Sequence, residues 1–409
     1  MYEYLLNFID IIDILLLAHI TISIFVGIKY NILTGINKTN KTNKILIAIL
    51  SIACIISLLK IPPTDIVKDI YKAISRNMVL NNRLENLKHL SNIPYRISKD
   101  NPYTKIIIII GESASKHYMS IYSYKKETTP FLKKLNPYIF NTISPANLTR
   151  YSVPLIIGDI QIKNWNDFFN SQSLVSTLKQ AGYLTYWLSN QKSRGMHDTL
   201  IASLAHEADK IYFLNQTSKN VSTKDNILLT QLKKIKLEKN KKEAFFIHLI
   251  GSHFNYTSRY EQTIVPIKAK NIFEEYTNTI FYTDYIISKI YHYFKTNYTD
   301  ENILLLYFSD HGEIISKDKY GHSFSPSYQE EYEIPFIVYS SIENKYLNIL
   351  KNKNKTKIIN LESFEPIIVN ILNNKNEYKV SYSSKVISLT PNDIVNYKKL
   401  ERFRSDYNY

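Results

Sequence analysis

The sequence is poor in the residues that build disulfide scaffolds and flexible linkers. Among its 409 residues are one cysteine, Cys54, 9 glycines and 13 prolines. A single cysteine excludes an intramolecular disulfide, and so few glycines and prolines indicate few flexible linkers. Because 44% of the residues are hydrophobic and 21% are charged, we expect one large globular domain with accessory segments, and exclude a disordered or collagen-like chain.

Acidic residues are scarce relative to basic ones, and the formal net charge is +15. Such an excess is typical of proteins that act near nucleic acid or phospholipid headgroups. The chain shows no basic stripe and no aromatic-basic motif of the kind that binds nucleic acid. We therefore expect a membrane surface as a partner, and no nucleic acid. The sequence indicates no particular protein partner.

Two apolar segments predict a membrane anchor over residues 1–61. Phe8 to Ile28 is long enough for a spanning helix, whereas the shorter Ile45 to Leu59 is either a second, tilted span or a buried core helix. The four lysines between them, with no acidic residue, assign this loop to the cytoplasm by the positive-inside rule. In a bacterium, everything after Lys60 would then be periplasmic.

Residues 62–100 are predicted to form a juxtamembrane amphipathic helix and a linker. Between Thr64 and Leu90, apolar residues recur at approximately helical spacing with basic residues between them. The same apolar stripe suits a helix at the membrane interface or a helix packed on the following domain, so both alternatives stay open.

Residues 101–409 alternate short apolar runs with amphipathic stretches, which predicts an α/β fold with a mostly parallel central sheet. The predicted strands are Lys105 to Ile110, Leu184 to Leu188, Ala244 to Leu249, Ile303 to Phe308 and Ile334 to Tyr339. The predicted helices are Ser173 to Gln180, Asp225 to Leu237 and Phe273 to Phe294.

Polar residues directly follow four of the predicted strands. Ligands bind beyond the carboxyl ends of parallel strands, so we expect these residues to converge at one edge of the sheet. Asp, His and Glu side chains are typical ligands of zinc or manganese. The four segments are Gly111–Ser113, Ser189–Asn190, Gly251–His253 and Ser309–Glu313.

A hydroxyl nucleophile is predicted in the polar turn between the first two of these strands. The turn leads into an apolar stretch that could open a helix, whose positive end would favour an alkoxide and a phosphate. Ser144, Thr149 and Ser152 all qualify on spacing, and simple helix capping would explain any of them.

With these motifs in this order, the chain resembles the bacterial phosphoethanolamine transferases that modify lipopolysaccharide. They belong to the sulfatase-like branch of the alkaline phosphatase superfamily. The resemblance covers about Ile106 to Ser340. It implies an alkaline-phosphatase/sulfatase-like sandwich, which would here follow the two transmembrane helices that the apolar segments predict. The motifs are Gly111–Ser113, Tyr122–Tyr124, Thr128–Pro130, Ala146–Thr149, Ser152–Pro154, Gly251–His253, Arg259–Tyr260, Ser309–Glu313 and Tyr320–His322.

The resemblance also implies roles for individual residues. One Zn²⁺ ion, with a second as an alternative, would be held by Glu112, Thr149, Asp310 and His311. Thr149 would be the nucleophile, His253 and His322 would grip the phosphate during catalysis, and Asn190 would bind substrate. Lys116 and Arg150 are either anion contacts or solvated charges.

The implied reaction transfers phosphoethanolamine from phosphatidylethanolamine to lipopolysaccharide, on an inner-core sugar or lipid A, through a phospho-threonine intermediate. The enzyme would be a multi-pass protein of the bacterial inner membrane with its catalytic domain, residues 101–409, in the periplasm. Family members usually have more spans than the two predicted here. The missing disulfides favour the subgroup that modifies core sugars.

Three alternatives remain. A phosphoglycerol transferase acting on an envelope glycan would share the metal and the threonine. A membrane-anchored sulfatase or phosphatase is a second alternative, but Ile156 stands where the sulfatase motif that starts at Ser152 requires arginine. A non-enzymatic, membrane-anchored binding protein would be expected to lack ligands, whereas every matched position holds a chemically competent side chain.

Overall fold

The computed structural model describes residues 78, 81, 83–86, 94–193, 198–215, 224–236 and 238–403. The predicted anchor, residues 1–61, lies outside these residues, as does most of Thr64 to Leu90. Among the described residues, no helix has the length and apolar character needed to cross a membrane. From Val79 to Tyr409 the chain forms one compact unit.

The centre of this unit is an eight-stranded sheet with the order β10-β2-β9-β6-β1-β5-β3-β4. Most neighbouring pairs are parallel, as predicted, but β9 runs antiparallel to both of its neighbours. The strands are β1 (Lys105–Gly111), β2 (Tyr138–Ile143), β3 (Leu184–Ser189), β4 (Lys210–Phe213), β5 (Glu243–His248), β6 (Ile303–Ser309), β9 (Glu333–Ser340) and β10 (Ile359–Asn360).

Two small hairpins complete the described strands. One pairs β7 (Ile314–Ile315) with β8 (Tyr320–Gly321), and the other pairs β11 (Lys385–Ile387) with β12 (Ile394–Asn396). The first hairpin directly follows the polar segment after β6, so its first strand begins next to the residues predicted to bind metal.

The described α-helices lie on both faces of the sheet. They are α1 (Pro130–Leu135), α2 (Thr149–Ile157), α3 (Leu174–Gln180), α4 (Thr199–Ala205), α5 (Asn226–Leu232), α6 (Ile272–Asn297), α7 (Lys345–Asn354) and α8 (Phe364–Asn373). Short 3-10 helices occupy Lys116–Tyr118, Ser120–Tyr122, Ile162–Asn170, Tyr256–Ser258, Gln329–Glu331, Leu361–Ser363 and Tyr397–Lys399.

Strand β1 explains why the sheet needs helices on both sides. All seven of its residues are buried, because it lies between β5 and β6 and alternate side chains enter two separate cores. Ile106, Ile108 and Ile110 pack in the core that includes α2, α3, α7 and α8. Ile107 and Ile109 pack in the core formed with α5 and the long helix α6.

The segment before the sheet is attached to this unit by Arg83. Its guanidinium is fully buried, lies 4.0 Å from the ring centre of Phe168 and donates a 2.6 Å hydrogen bond to Glu207. Glu207 also accepts hydrogen bonds from Ser173 and Ser176. At Arg83, therefore, the chain packs on the domain, which is one of the two alternatives that the sequence left open.

Replacing Arg83 by methionine should lower the stability of the unit by about 3–5 kcal/mol, because Glu207 would keep a buried charge without its partner. Thermal unfolding of the detergent-solubilised full chain measures this loss. The double variant Arg83→Met/Glu207→Gln removes both charges and should recover part of it. An unchanged midpoint for Arg83→Met would show that the ion pair does not hold this segment.

Candidate active site

The register of two neighbouring strands brings the first acidic residues of the site together. Gly111 of β1 pairs with Ser309 of β6, and the backbone N–H of Asp310 donates to the carbonyl of Gly111. Glu112 and Asp310 are therefore the first residues beyond two adjacent parallel strands. Both are buried at the carboxyl edge of the sheet, where the sequence predicts a ligand site.

Glu112, Asp310 and His311 form a buried cluster of ligand atoms that all lie within 4.8 Å of one another. The Nε2 atom of His311 is 3.3 Å from a Glu112 oxygen and 3.4 Å from Asp310 Oδ2. On the other side of the ring, His311 Nδ1 lies 2.9 Å from the carbonyl oxygen of Gly312, where it donates a hydrogen bond. This orientation leaves Nε2 as the atom that can bind a cation.

Charge in this cluster is poorly balanced without a cation. Burial and the negative charge of Glu112 raise the pKa of Asp310 to about 8. Burial alone would lower the pKa of His311, but the charge of Asp310 and the hydrogen bond with Glu112 raise it to about 10. Burial would likewise raise the pKa of Glu112, yet the hydrogen bond and charge of His311 hold it well below its usual value. The cluster therefore favours a positive charge at its centre.

The residues present fit a divalent metal ion. Asp310 Oδ2 is buried and has no hydrogen-bond partner, an arrangement that is costly for a carboxylate oxygen unless a cation compensates it. Two carboxylates and an imidazole are a donor set that suits zinc or manganese. The remaining carboxylate oxygen of Asp310 is held by the backbone N–H groups of Ser113 and His311.

Of the three candidate hydroxyls, Thr149 is the one that contacts the side-chain ligand atoms of this cluster. It is the first residue of α2, and its Oγ1 lies 3.1 Å from Glu112 Oε2 and 3.3 Å from His311 Nε2. The Ser144 hydroxyl instead bonds to the backbone carbonyls of Ala146 and Asp310, and the Ser152 hydroxyl faces the carbonyl of Thr149. A phosphate beside Thr149 would also meet the positive end of α2.

His322 lies beside the cluster on the first hairpin, with its ring centre 3.9 Å from that of His311. Its Nδ1 is 2.7 Å from a carboxylate oxygen of Glu313, whose other oxygen accepts a 2.6 Å hydrogen bond from the Tyr256 hydroxyl. Glu313 thus orients His322. The sequence places Glu313 in its motif but assigns it no role, and its position directly after the predicted ligands was the available signal.

His253 lies in a loop that is hydrogen-bonded to Glu112, the residue that follows β1. The N–H of Ser252 donates to the carbonyl of Glu112, and a Cβ atom on Gly251 would lie 2.8 Å from the same carbonyl oxygen. Gly251 also has a φ of +50°, which side chains other than glycine rarely adopt. The side chain of His253 is exposed, and its charge contributes to the lowered pKa of Glu112.

Asn190 is linked to the His253 loop through a hydrogen bond to Asp225. It is fully buried, and its amide nitrogen donates a 2.9 Å hydrogen bond to Asp225. The Asp225 carboxylate in turn accepts the N–H groups of Ile250 and Gly251. Asn190 therefore acts on the site through Asp225, which the sequence did not single out, and direct substrate binding by Asn190 stays a prediction.

The two basic candidates have partners within the protein. Lys116 donates to Asn141 and lies 4.0 Å from Glu333, and burial lowers its pKa. Arg150 donates to the carbonyl of Leu389 and packs 4.7 Å from the ring centre of Tyr151. Neither side chain is a free, solvated charge.

Comparison with known proteins assigns the chain to a family. Residues 104–364 match the family described as Sulfatase. The chain belongs to the sulfatase family. Phosphoethanolamine transferase EptC of Escherichia coli O18:K1:H7 is 28% identical over 263 residues, which are 58% of this chain and 45% of EptC. Phosphoethanolamine transferase EptA of Helicobacter pylori is 31% identical over 268 residues, which are 60% of this chain and 49% of EptA.

A solved structure shares the fold. The C-terminal periplasmic domain of EptC from Escherichia coli, in complex with Zn, gives a TM-score of 0.63 at 21% identity and covers 77% of this chain and 98% of that domain. The predicted resemblance and the alkaline-phosphatase/sulfatase-like α/β fold are thereby confirmed. The chain spans about half the length of the curated relatives named above.

The conformation of Gly251 gives a test of how tightly the His253 loop is held. Gly251→Ala should destabilise the protein by at least about 3 kcal/mol, because the methyl group meets the Glu112 backbone at an unfavourable φ. Gly182→Ala is the matched control, since Gly182 has a φ of +87° with open space around it. That control should cost only about 1 kcal/mol in thermal unfolding. Equal effects would disprove the close approach.

The cluster also predicts a metal-binding phenotype. Asp310→Ala removes a central ligand and should weaken zinc binding by more than about 100-fold, a larger effect than loss of an outer partner. Elemental analysis and chelator competition on the purified full chain measure this. Asp318→Ala, which changes an exposed carboxylate in the neighbouring hairpin turn, should bind zinc normally. Unchanged zinc content in Asp310→Ala would exclude the cluster as the metal site.

Proposed function

We propose that the chain is a zinc-dependent phosphoethanolamine transferase that forms a phospho-threonine intermediate at Thr149. The observation that carries the proposal is the position of the Thr149 hydroxyl, 3.1 Å from Glu112 and 3.3 Å from His311 at the start of a helix. The curated relatives named above are phosphoethanolamine transferases, which supports the nature of the transferred group.

Glu112, Thr149, Asp310 and His311 would hold one Zn²⁺ ion. When bound, zinc would lower the pKa of the Thr149 hydroxyl and offset negative charge on the phosphate. The ligand atoms of His311, Glu313 and His322 also lie within 4.8 Å of one another, and an ion held there would compete with the first for His311.

In the first displacement, Thr149 Oγ1, which has already lost its proton to solvent, forms a bond to the phosphorus of phosphatidylethanolamine, and the bond from phosphorus to the glycerol oxygen breaks. The backbone N–H groups at the start of α2 and the imidazoles of His253 and His322 stabilise the phosphate oxygens. His322, oriented by Glu313, gives its proton to the leaving oxygen of diacylglycerol.

In the second displacement, an acceptor hydroxyl or phosphate of lipopolysaccharide attacks the phosphorus from the side that diacylglycerol has left. His322 now accepts the proton of an acceptor hydroxyl, the bond from phosphorus to Thr149 Oγ1 breaks, and Thr149 is released in its deprotonated form. We assign the acceptor to an inner-core sugar or to lipid A, because phosphate-rich lipopolysaccharide complements the net charge of +15.

This reaction places the protein in the bacterial inner membrane with residues 101–409 in the periplasm. The donor phospholipid is there within reach of a catalytic domain that follows the predicted spans of residues 1–61. The solved domain of EptC is described as periplasmic, which supports this location.

The intermediate can be trapped directly. Incubating the full chain with headgroup-labelled phosphatidylethanolamine, without acceptor, should label a peptide that contains Thr149, as measured by peptide mass. Thr149→Ala should stay folded, retain zinc and acquire no label. Ser152→Ala changes a neighbouring hydroxyl that does not reach the cluster, and should be labelled like the wild type.

Two results would contradict the proposal. Transfer to lipopolysaccharide by Thr149→Ala at the wild-type rate would assign the nucleophile to another group. Transfer by the wild type without any labelled protein, even at the earliest times, would indicate a single direct displacement from donor to acceptor.

A further inference from the structure

Two aromatic rings beside the candidate site are unusually exposed and contact each other. Phe254 and Tyr320 are 50% and 44% exposed, and their ring centres lie 5.5 Å apart with an angle of 32° between the planes. A single exposed apolar residue is ordinary, but adjoining exposed rings beside a reaction site are typical of ligand contact. We call Phe254 and Tyr320 the aromatic pair.

The aromatic pair joins the two loops that carry the proposed phosphate ligands. Phe254 directly follows His253, and Tyr320 precedes His322 by two positions in the first hairpin. A group bonded to a phosphate between the two histidines would therefore lie close to both rings. The exposed ring surface thus lies on the same two segments as the proposed phosphate ligands.

Arg259 and Tyr256 hold the loop that carries Phe254. Arg259 donates a 2.8 Å hydrogen bond to the carbonyl of His253 and a 3.1 Å hydrogen bond to the carbonyl of Phe254. The edge of the Tyr256 ring packs on Phe254, with ring centres 5.5 Å apart, while the Tyr256 hydroxyl bonds to Glu313. Tyr256 therefore lies between Phe254 and the carboxylate that orients His322, and it bonds to that carboxylate without any contribution from the Phe254 ring.

The turn of Tyr320 is held by its neighbour Lys319. The ammonium group of Lys319 lies 4.2 Å from the ring centre of Phe324 and 4.5 Å from that of Tyr328. The backbone N–H and carbonyl of Lys319 both bond to Ser316 across the turn. Because Lys319 is directed into the aromatic residues, the adjacent Tyr320 ring is presented outward.

We propose that the aromatic pair binds the acyl-ester region and first methylenes of the donor phospholipid. This inference rests on the proposed function and names the contact that selects its donor. In-line attack by Thr149 requires the leaving glycerol oxygen to be opposite the threonine, on the side of the histidines. The apolar groups attached to that glycerol then reach the rings, where they lose contact with water.

The exposed charges of the hairpin turn come from Lys317 and Asp318, one of each sign, whereas the ammonium of Lys319 is directed toward Phe324 and Tyr328. The aromatic pair therefore offers the donor an apolar ring surface rather than a concentration of positive charge.

The test compares two donors in the adduct-forming step, with the full chain and no acceptor. Phosphatidylethanolamine in mixed micelles has acyl chains, whereas glycerophosphoethanolamine has the same headgroup and glycerol without them. The wild type should form the Thr149 adduct from phosphatidylethanolamine with a kcat/KM at least about tenfold higher. Phe254→Ala/Tyr320→Ala should reduce this preference to less than about threefold, while adduct formation from glycerophosphoethanolamine changes little.

Matched controls separate this effect from loss of folding. Ile349→Ala/Ile394→Ala removes two side chains of similar exposure, 41% and 40%, on α7 and β12, and should keep the wild-type preference. Phe254→Trp/Tyr320→Phe retains two rings and should keep it too. Zinc content and the thermal midpoint of each variant should match the wild type.

Three outcomes would overturn the inference. An unchanged donor preference in Phe254→Ala/Tyr320→Ala would exclude the lipid contact. A defect confined to transfer from preformed adduct to lipopolysaccharide would assign the rings to the acceptor instead. If the wild type forms no adduct from either donor, the proposed function fails and this inference fails with it. The first two outcomes, in which the wild type does form the adduct, refute the inference alone.

Discussion

The site depends on two acidic side chains that the sheet forces together. Parallel pairing of β1 and β6 buries Glu112 and Asp310 side by side, and His311 follows within contact distance. The carboxylate ligand atoms lie within 4.8 Å of each other. Two buried negative charges this close repel each other unless a cation lies between them. A folded chain that keeps both carboxylates therefore creates a binding site for positive charge, and the Thr149 hydroxyl lies at its edge.

The surrounding residues convert this charged centre into a directed site. α2 brings a hydroxyl and a positive helix end to one side, while the hairpin after β6 brings His322 to the other. Glu313 and Tyr256 connect His322 to the loop that carries Phe254. The groups proposed for chemistry and those proposed for donor binding thus share one network of hydrogen bonds and ring contacts.

The sequence predicted the parts of the fold that local apolar pattern determines. All five predicted strands exist, because buried runs such as that of β1 are continuous and end in polar residues. Within the eight-stranded sheet, β2, β4 and β10 were not predicted: β2 mixes buried and exposed positions, and β4 and β10 are short strands at the two edges of the sheet. The roles of Glu313 and Asp225 depend on contacts between distant segments, which spacing along the chain does not reveal. Likewise, local pattern could not show that β9 is antiparallel.

The central claim is that Glu112, Thr149, Asp310 and His311 share one metal ion. Anomalous diffraction at the zinc edge, from crystals of the zinc-loaded full chain, tests this most directly. The account predicts one strong peak about 2.0–2.2 Å from oxygen or nitrogen atoms of these four side chains. A zinc peak elsewhere, with the four side chains arranged as they are here and no density between them, would contradict it.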